Sequence, residues 1–150
     1  MITQVLEVDG IKIIRKTAES AEGAIRLERE LNVLVVLQDS GCVPKIKSRS
    51  DRSADLEYID GQSLADWLEL DSQWRVQNLP DFGEAMKRLQ LYVEVEMKLL
   101  DLGVMYRDMN LQHLIFTPNG ARLIDLEASS IKSRDDRHWR LDSPRGTWET

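Results

Sequence analysis

Two short segments that mix apolar and polar residues lie at the beginning of the chain. Residues 5–8 and 11–16 contain three apolar residues each, and they flank the dipeptide Asp9-Gly10. An Asp-Gly pair accepts the positive φ angles that a two-residue turn requires. The pattern therefore predicts a tight β-hairpin at the start of the chain.

A helix and two further strands are predicted next. Over residues 21–38 the apolar positions recur at helical spacing, namely Ala24, Ile25, Leu27, Leu31, Leu34 and Val35. Residues 43–47 and 54–59 are short strand candidates separated by a polar turn. Together these segments predict a small antiparallel sheet with one helix.

The second half of the chain is predicted to be richer in helix. Ser63 can cap a short helix, and residues 82–102 form the longest helical pattern, which ends before Gly103. One amphipathic stripe of this long helix contains Met86, Leu89, Val93, Met97 and Leu100. Residues 114–117 and 121–124 then predict a second hairpin. The predicted class is therefore α+β.

Composition narrows the functional classes. The chain has 150 residues, 42% of them hydrophobic, and a formal net charge of -6, which is typical of a single acidic domain over residues 1–150. The sequence has no long basic stretch of the kind that binds nucleic acid, and it has no apolar run long enough to cross a bilayer. The single cysteine, Cys42, cannot form an internal disulfide. A cytoplasmic location is expected, because the first residues lack the pattern of a secretory signal.

Two acidic motifs lie on either side of the second hairpin. Tyr106-Arg107-Asp108 precedes it, and Asp125-Leu126-Glu127 follows it. A phosphoryl-transfer site needs one carboxylate to orient the attacking hydroxyl and another to hold magnesium against the triphosphate. A tight hairpin can bring two such carboxylates to one cleft.

These motifs resemble the protein-kinase superfamily. Tyr106-Arg107-Asp108 is similar to the H-R-D catalytic loop, and Asp125-Leu126-Glu127 is similar to the D-F-G metal loop. Residues 56–64, with the sequence Leu-Glu-Tyr-Ile-Asp-Gly-Gln-Ser-Leu, resemble the hinge between the kinase lobes. The motifs also occur in the family's order along the chain. The resemblance implies a minimal two-lobe fold, with an N-lobe over about residues 1–60 and a C-lobe over about residues 61–150.

One subfamily is the most similar. His113 stands five residues after Asp108, at a position where most protein kinases carry asparagine. In this respect the chain looks like the bacterial lipopolysaccharide kinase group, whose members phosphorylate Kdo or heptose sugars. The resemblance covers about residues 11–130 and implies a sugar or lipopolysaccharide-type acceptor, although a partner protein stays open as the acceptor. The oligomeric state is left open as well.

The resemblance also implies the residues that handle ATP and Mg²⁺. Asp108 would be the catalytic base, and Asp125 would be the magnesium ligand and the second catalytic carboxylate. Glu57 and Ile59 would present backbone groups to the adenine. His113 would contact phosphate, brace the loop or assist at the metal, although magnesium prefers oxygen ligands.

A lysine and a glutamate complete the implied site. Lys16 would contact the α- and β-phosphates, and Glu30 would hold Lys16 by an ion pair. Glu28 is the alternative to Glu30, and Lys12 or Arg15 are alternatives to Lys16.

Departures from the family pattern leave two hypotheses. Residues 1–8 leave no room for the strand and glycine-rich loop that normally cover the triphosphate, Asn110 replaces a common lysine, and Glu127 replaces the metal-loop glycine. The first hypothesis is an ATP-dependent phosphotransferase that acts on a hydroxyl. The alternative is a pseudokinase or nucleotide-binding regulatory module without catalysis.

Overall fold

The computed structural model describes residues 1–69, 71–73, 75–76, 80–106 and 110–131. Over these residues the chain has an α+β fold with antiparallel sheets and three α-helices. No helix in this part of the chain is long and apolar enough to span a membrane.

The first half contains a four-stranded antiparallel sheet. Its strands are β1 (Ile2–Val8), β2 (Ile11–Thr17), β3 (Ile46–Arg49) and β4 (Ser53–Glu57), in the order β1-β2-β4-β3. All three neighbouring pairs are antiparallel. The predicted small antiparallel sheet is confirmed, and β2 lies inside it.

The turns and strand ends follow local chemistry. The predicted hairpin at Asp9 and Gly10 is confirmed, with φ angles of 52° and 77°. The third strand begins at Ile46 rather than at residue 43. Pro44 has no N–H to donate, and its carbonyl accepts a hydrogen bond from the Gln38 side chain at 3.1 Å in place of a strand partner.

Helix α1 (Ala21–Leu37) packs against this sheet. It begins at Ser20, whose hydroxyl accepts a hydrogen bond from the Gly23 N–H at 3.0 Å. A 3₁₀ turn, Gln38–Ser40, follows the helix. The buried face of α1 consists of Gly23, Leu27, Glu30, Leu31, Val33, Leu34 and Leu37. One carboxylate is therefore buried within an otherwise apolar face.

The described part of the second half has two helices and five short strands. They are β5 (Gln62–Ser63), α2 (Leu64–Trp67), α3 (Phe82–Asp101), β6 (Val104–Met105), β7 (Leu114–Thr117), β8 (Gly120–Leu123) and β9 (Ser130–Ile131). Strands β5, β7 and β8 form one sheet, and β6 pairs with β9. The predicted cap is present, since the Ser63 hydroxyl accepts a hydrogen bond from the Asp66 N–H at 3.0 Å. The predicted second hairpin is β7-β8.

The apolar stripe predicted on α3 is not the buried face of that helix. Four of its members, Met86, Leu89, Val93 and Met97, are between 41% and 53% exposed. The core instead receives Val95 and Leu99, which are 5% and 0% exposed. The helix was predicted correctly, but its buried face lies elsewhere on its surface.

One continuous cluster of buried apolar residues joins the two halves. It includes Leu27 and Leu31 of α1, Leu99 of α3, and residues of β4, β7 and β8. Gly61 lies directly against the Phe116 carbonyl, where any side chain would collide with the backbone. This close approach brings the end of the first sheet next to the β7-β8 hairpin.

Candidate functional site

Lys16 and Glu30 form a buried ion pair. The Lys16 Nζ lies 2.7 Å from Glu30 Oε1 and 2.8 Å from Oε2, and the two side chains are 8% and 1% exposed. Strand β2 positions the lysine and helix α1 positions the glutamate. The pair that the resemblance implied is therefore present, with Lys16 rather than Lys12 or Arg15 and with Glu30 rather than Glu28.

Asp125 lies on the other side of the same lysine. Its Oδ1 is 3.6 Å from Lys16 Nζ, and its side chain is 37% exposed. Its φ angle is 58°, a left-handed conformation that aspartate tolerates better than most residues. The next N–H, that of Leu126, donates to Glu30 Oε1 at 3.3 Å. Lys16, Glu30 and Asp125 thus belong to one connected polar cluster.

His113 contacts Asp125 from the end of the predicted catalytic segment. Its Nε2 is 3.4 Å from Asp125 Oδ2, and its Nδ1 is 3.4 Å from the Tyr106 hydroxyl. The His113 carbonyl also accepts the Ile124 N–H at 2.8 Å. Backbone and side-chain contacts therefore hold His113 beside Asp125.

Glu57 lies at the end of β4 but uses its side chain for another purpose. Its carboxylate forms a two-point ion pair with Arg122, with Nη2 to Oε1 at 2.6 Å and Nη1 to Oε2 at 3.1 Å. Its backbone N–H donates to the Lys45 carbonyl at 2.8 Å. The Arg122 contact was not predicted from the sequence. It fastens the first sheet to β8, because the two residues are 65 positions apart in the chain.

A cavity of about 190 Å³ connects most of these residues. Its lining combines apolar side chains with the lysine, the aspartate and the histidine. The lining residues are Thr3, Ile14, Lys16, Pro44, Leu56, Glu57, Tyr58, Ile59, His113, Ile124 and Asp125. Five of the seven predicted site residues therefore line one cavity, and Glu30 lies behind Lys16.

Burial and charge act against each other at the two glutamates. Burial raises the pKa of the Glu30 carboxyl above its ordinary value, and the Lys16 ammonium only partly opposes this effect. Burial also disfavours ionisation of Glu57. There, however, the hydrogen bonds and charge of Arg122 outweigh burial and lower the pKa of that carboxyl.

The remaining predicted residue, Asp108, lies outside the described residues. Among the residues that the structure does describe, there is no cluster of three or more histidine, cysteine, aspartate or glutamate side chains suited to a metal ion. Magnesium commonly binds through one or two carboxylates together with substrate phosphates and water. Asp125 suits that mode as an oxygen ligand, whereas His113 offers a nitrogen. Comparison with protein-family models and with curated proteins found no match to this chain.

Proposed function

We propose that this chain binds ATP with magnesium and transfers the γ-phosphate to a hydroxyl group, on a protein-kinase-like two-lobe scaffold. The observation that carries the proposal is the contact of one buried ammonium with two carboxylates. Lys16 Nζ is 2.7 Å from Glu30 and 3.6 Å from Asp125. A fixed cation beside a carboxylate supplies the two charges that a metal-bound triphosphate needs.

Each charged residue has a separate task in this proposal. Glu30 accepts two of the three N–H donors of Lys16, which fixes the ammonium and leaves one donor for a phosphate oxygen. Asp125 would hold magnesium, which would supply positive charge beside the phosphates. His113 braces the Asp125 carboxylate or donates to a phosphate. Asp108 orients the acceptor hydroxyl and accepts its proton.

The apolar part of the cavity suits the adenine ring. Ile14, Leu56 and Ile59 line the cavity with the charged residues. The backbone of residues 57–59 follows the end of β4, as the hinge resemblance implies. Because the Glu57 N–H already donates to Lys45, hydrogen bonds to adenine would come from other backbone groups of this segment.

The acceptor proposed for the reaction is a sugar hydroxyl, on the strength of the lipopolysaccharide-kinase resemblance. The alternative function is nucleotide binding without catalysis. One departure from the family pattern favours this alternative. Glu127 stands where the kinase metal loop carries glycine.

Calorimetric titration with ATP tests the binding step. The wild type is expected to bind ATP in the presence of Mg²⁺ and to bind it more weakly after chelation. Asp125→Asn should weaken MgATP binding at least about tenfold, because it removes the metal-binding charge. Asp55→Asn is the matched control, since Asp55 pairs with Arg15 and is absent from the cavity lining. It should bind like the wild type.

An assay of phosphate transfer to Kdo or heptose distinguishes the two functions. The release of ADP is the quantity measured. Asp108→Asn should keep nucleotide affinity and lower turnover by about 10²–10⁴-fold. The wild type could bind MgATP but show no more turnover than Asp108→Asn, with these sugars or with protein acceptors. This result would exclude the phosphotransferase and support the nucleotide-binding module. Absence of any MgATP binding to the wild type would contradict both functions.

A further inference from the structure

A second cavity, of about 250 Å³, lies between α2, α3 and the β7-β8 hairpin. Its walls include Leu64 and Trp67 from α2, Ala85 from α3, and Leu114 and Leu123 from the hairpin. It shares no lining residue with the Lys16 cavity. The proposed phosphotransferase site therefore leaves this second cavity unexplained.

One charged group interrupts the apolar lining. The guanidinium of Arg88 lies over two aromatic rings that pack edge to face, 4.5 Å from the centroid of Trp67 and 4.4 Å from that of Phe116. The side chain is only 20% exposed. The two rings hold the guanidinium in place, because an arginine cation is attracted to aromatic faces at this distance.

The hydrogen bonding of Arg88 is incomplete. Its Nε contacts Glu84 Oε1 at 3.3 Å, while its Nη1 is buried and has no hydrogen-bond partner among the described residues. Buried polar groups in folded proteins nearly always have an acceptor. The cavity that Arg88 lines is the natural place for one.

We propose that this cavity binds a small carboxylic acid with an apolar body, whose carboxylate pairs with the Arg88 guanidinium. The apolar walls favour an apolar ligand, and the guanidinium fork matches the two oxygens of a carboxylate. A dry cavity of about 150 Å³ is known to hold benzene, so this volume admits a ring with a short chain. A single negative charge fits better than a dianionic phosphate, because Glu84 already stands beside the guanidinium.

A matched pair of probes tests the proposal on the full chain at neutral pH. The acid probe is 3-phenylpropanoate, and the neutral probe is 3-phenylpropanol, which has the same ring and chain. Calorimetry should show saturable binding of the acid, at least about tenfold tighter than binding of the alcohol, as expected for a charge-assisted hydrogen bond. Equal affinities for the two probes, or no saturable binding of the acid, would overturn the proposal.

Two variants locate the binding site. Arg88→Met keeps the length of the side chain and should abolish the preference for the acid, whereas Arg26→Met, which breaks an exposed pair with Glu22 on α1, should preserve it. Ala85→Leu fills the cavity while keeping Arg88, and it should weaken both probes at least about tenfold. An unchanged affinity of Ala85→Leu for the acid would place the ligand elsewhere. If Arg88→Met does not fold, the two-probe comparison and Ala85→Leu still decide.

Discussion

The two long helices differ in what happened to their predicted apolar residues. On α1, the predicted positions Leu27, Leu31 and Leu34 are each 1% exposed and mark the buried face, whereas Ile25 and Val35 are 58% and 55% exposed. On α3, the predicted positions Leu89 and Val93 are 53% and 44% exposed. Apolar spacing identified both helices. It selected the buried face of only one, because α3 carries a second apolar series, Leu91, Val95 and Leu99, four residues apart.

The buried faces of the helices also differ in charge. The buried residues of α3 are Val95 and Leu99, whereas α1 buries the carboxylate of Glu30 at 1% exposure. A buried charge is costly unless it is paired and hydrogen-bonded. Lys16 and the Leu126 N–H provide those partners for Glu30. The buried face of α1 therefore combines packing with a polar site, whereas the two fully buried side chains of α3 serve packing.

The largest expected effect comes from removing the partner of this buried carboxylate. Lys16→Met should lower the free energy of unfolding by about 3–5 kcal/mol at neutral pH, because Glu30 is left buried without a cation. Adding Glu30→Leu should restore most of the loss, since an apolar pair replaces the ionic one. Urea denaturation measures both changes.

Arg15→Met is the control on the same strand. The Arg15 side chain is 40% exposed in its pair with Asp55, so its loss should lower the free energy of unfolding far less than loss of Lys16 does. If Lys16→Met proved as mild as Arg15→Met, the charged face of α1 would be accessible to water and the contrast with α3 would disappear.

The pH dependence of the Lys16→Met variant sharpens the same point. Burial already raises the pKa of Glu30, and loss of the opposing Lys16 charge should raise this pKa further. A carboxyl whose folded-state pKa lies above its ordinary value of 4.5 stabilises the fold in its protonated form. This stabilisation is fully present below pH 4.5 and is lost as the pH rises through the folded-state pKa. The free energy of unfolding of Lys16→Met should therefore fall with rising pH relative to the double variant. A constant difference would exclude Glu30 as the titrating group.

The next effect concerns the packing of α3. Leu99 is 0% exposed, and Leu99→Ala should lower the free energy of unfolding by about 2–5 kcal/mol. Met86 belongs to the predicted stripe but is 48% exposed, so Met86→Ala should change stability by no more than about 0.5 kcal/mol. Thermal and urea unfolding of the two variants provide the comparison. A large loss in Met86→Ala would show that the stripe is covered in solution.

Local chemistry explains which parts of the fold could be predicted. The turn at Asp9 and Gly10 depends only on those two residues, and the cap at Ser63 only on its immediate neighbours. The start of β3 was missed because it depends on Gln38, whose side-chain amide takes the Pro44 carbonyl in place of a strand hydrogen bond. The two-residue strands β6 and β9 are too short to leave a periodic pattern in the sequence.

The candidate site also has residues that the sequence could predict and contacts that it could not. Lys16, Glu30 and Asp125 were identified by motif order, and the structure brings their side chains into contact. The pair of Glu57 with Arg122 could not be found, because an arginine on a short strand carries no signal of a partner far away in the chain. Asp108 lies outside the described residues, so its catalytic role stays a prediction.

The smallest expected effect compares the same substitution near the start of each helix. Gly23→Ala in α1 should raise the free energy of unfolding by about 0.5–1 kcal/mol, because alanine favours the helix and the atoms nearest the new Cβ, which begin with the capping Ser20 Oγ, lie at ordinary contact distances of 3.4–3.6 Å. Gly83→Ala in α3 should gain less. Its Cβ would lie 3.3 Å from the Asp81 Oδ2 that accepts the capping hydrogen bond from the Glu84 N–H. Urea denaturation of both variants measures the difference between their gains in free energy of unfolding. A larger gain at Gly83 would show that the Asp81 cap moves without cost, and it would remove this last difference between the helices.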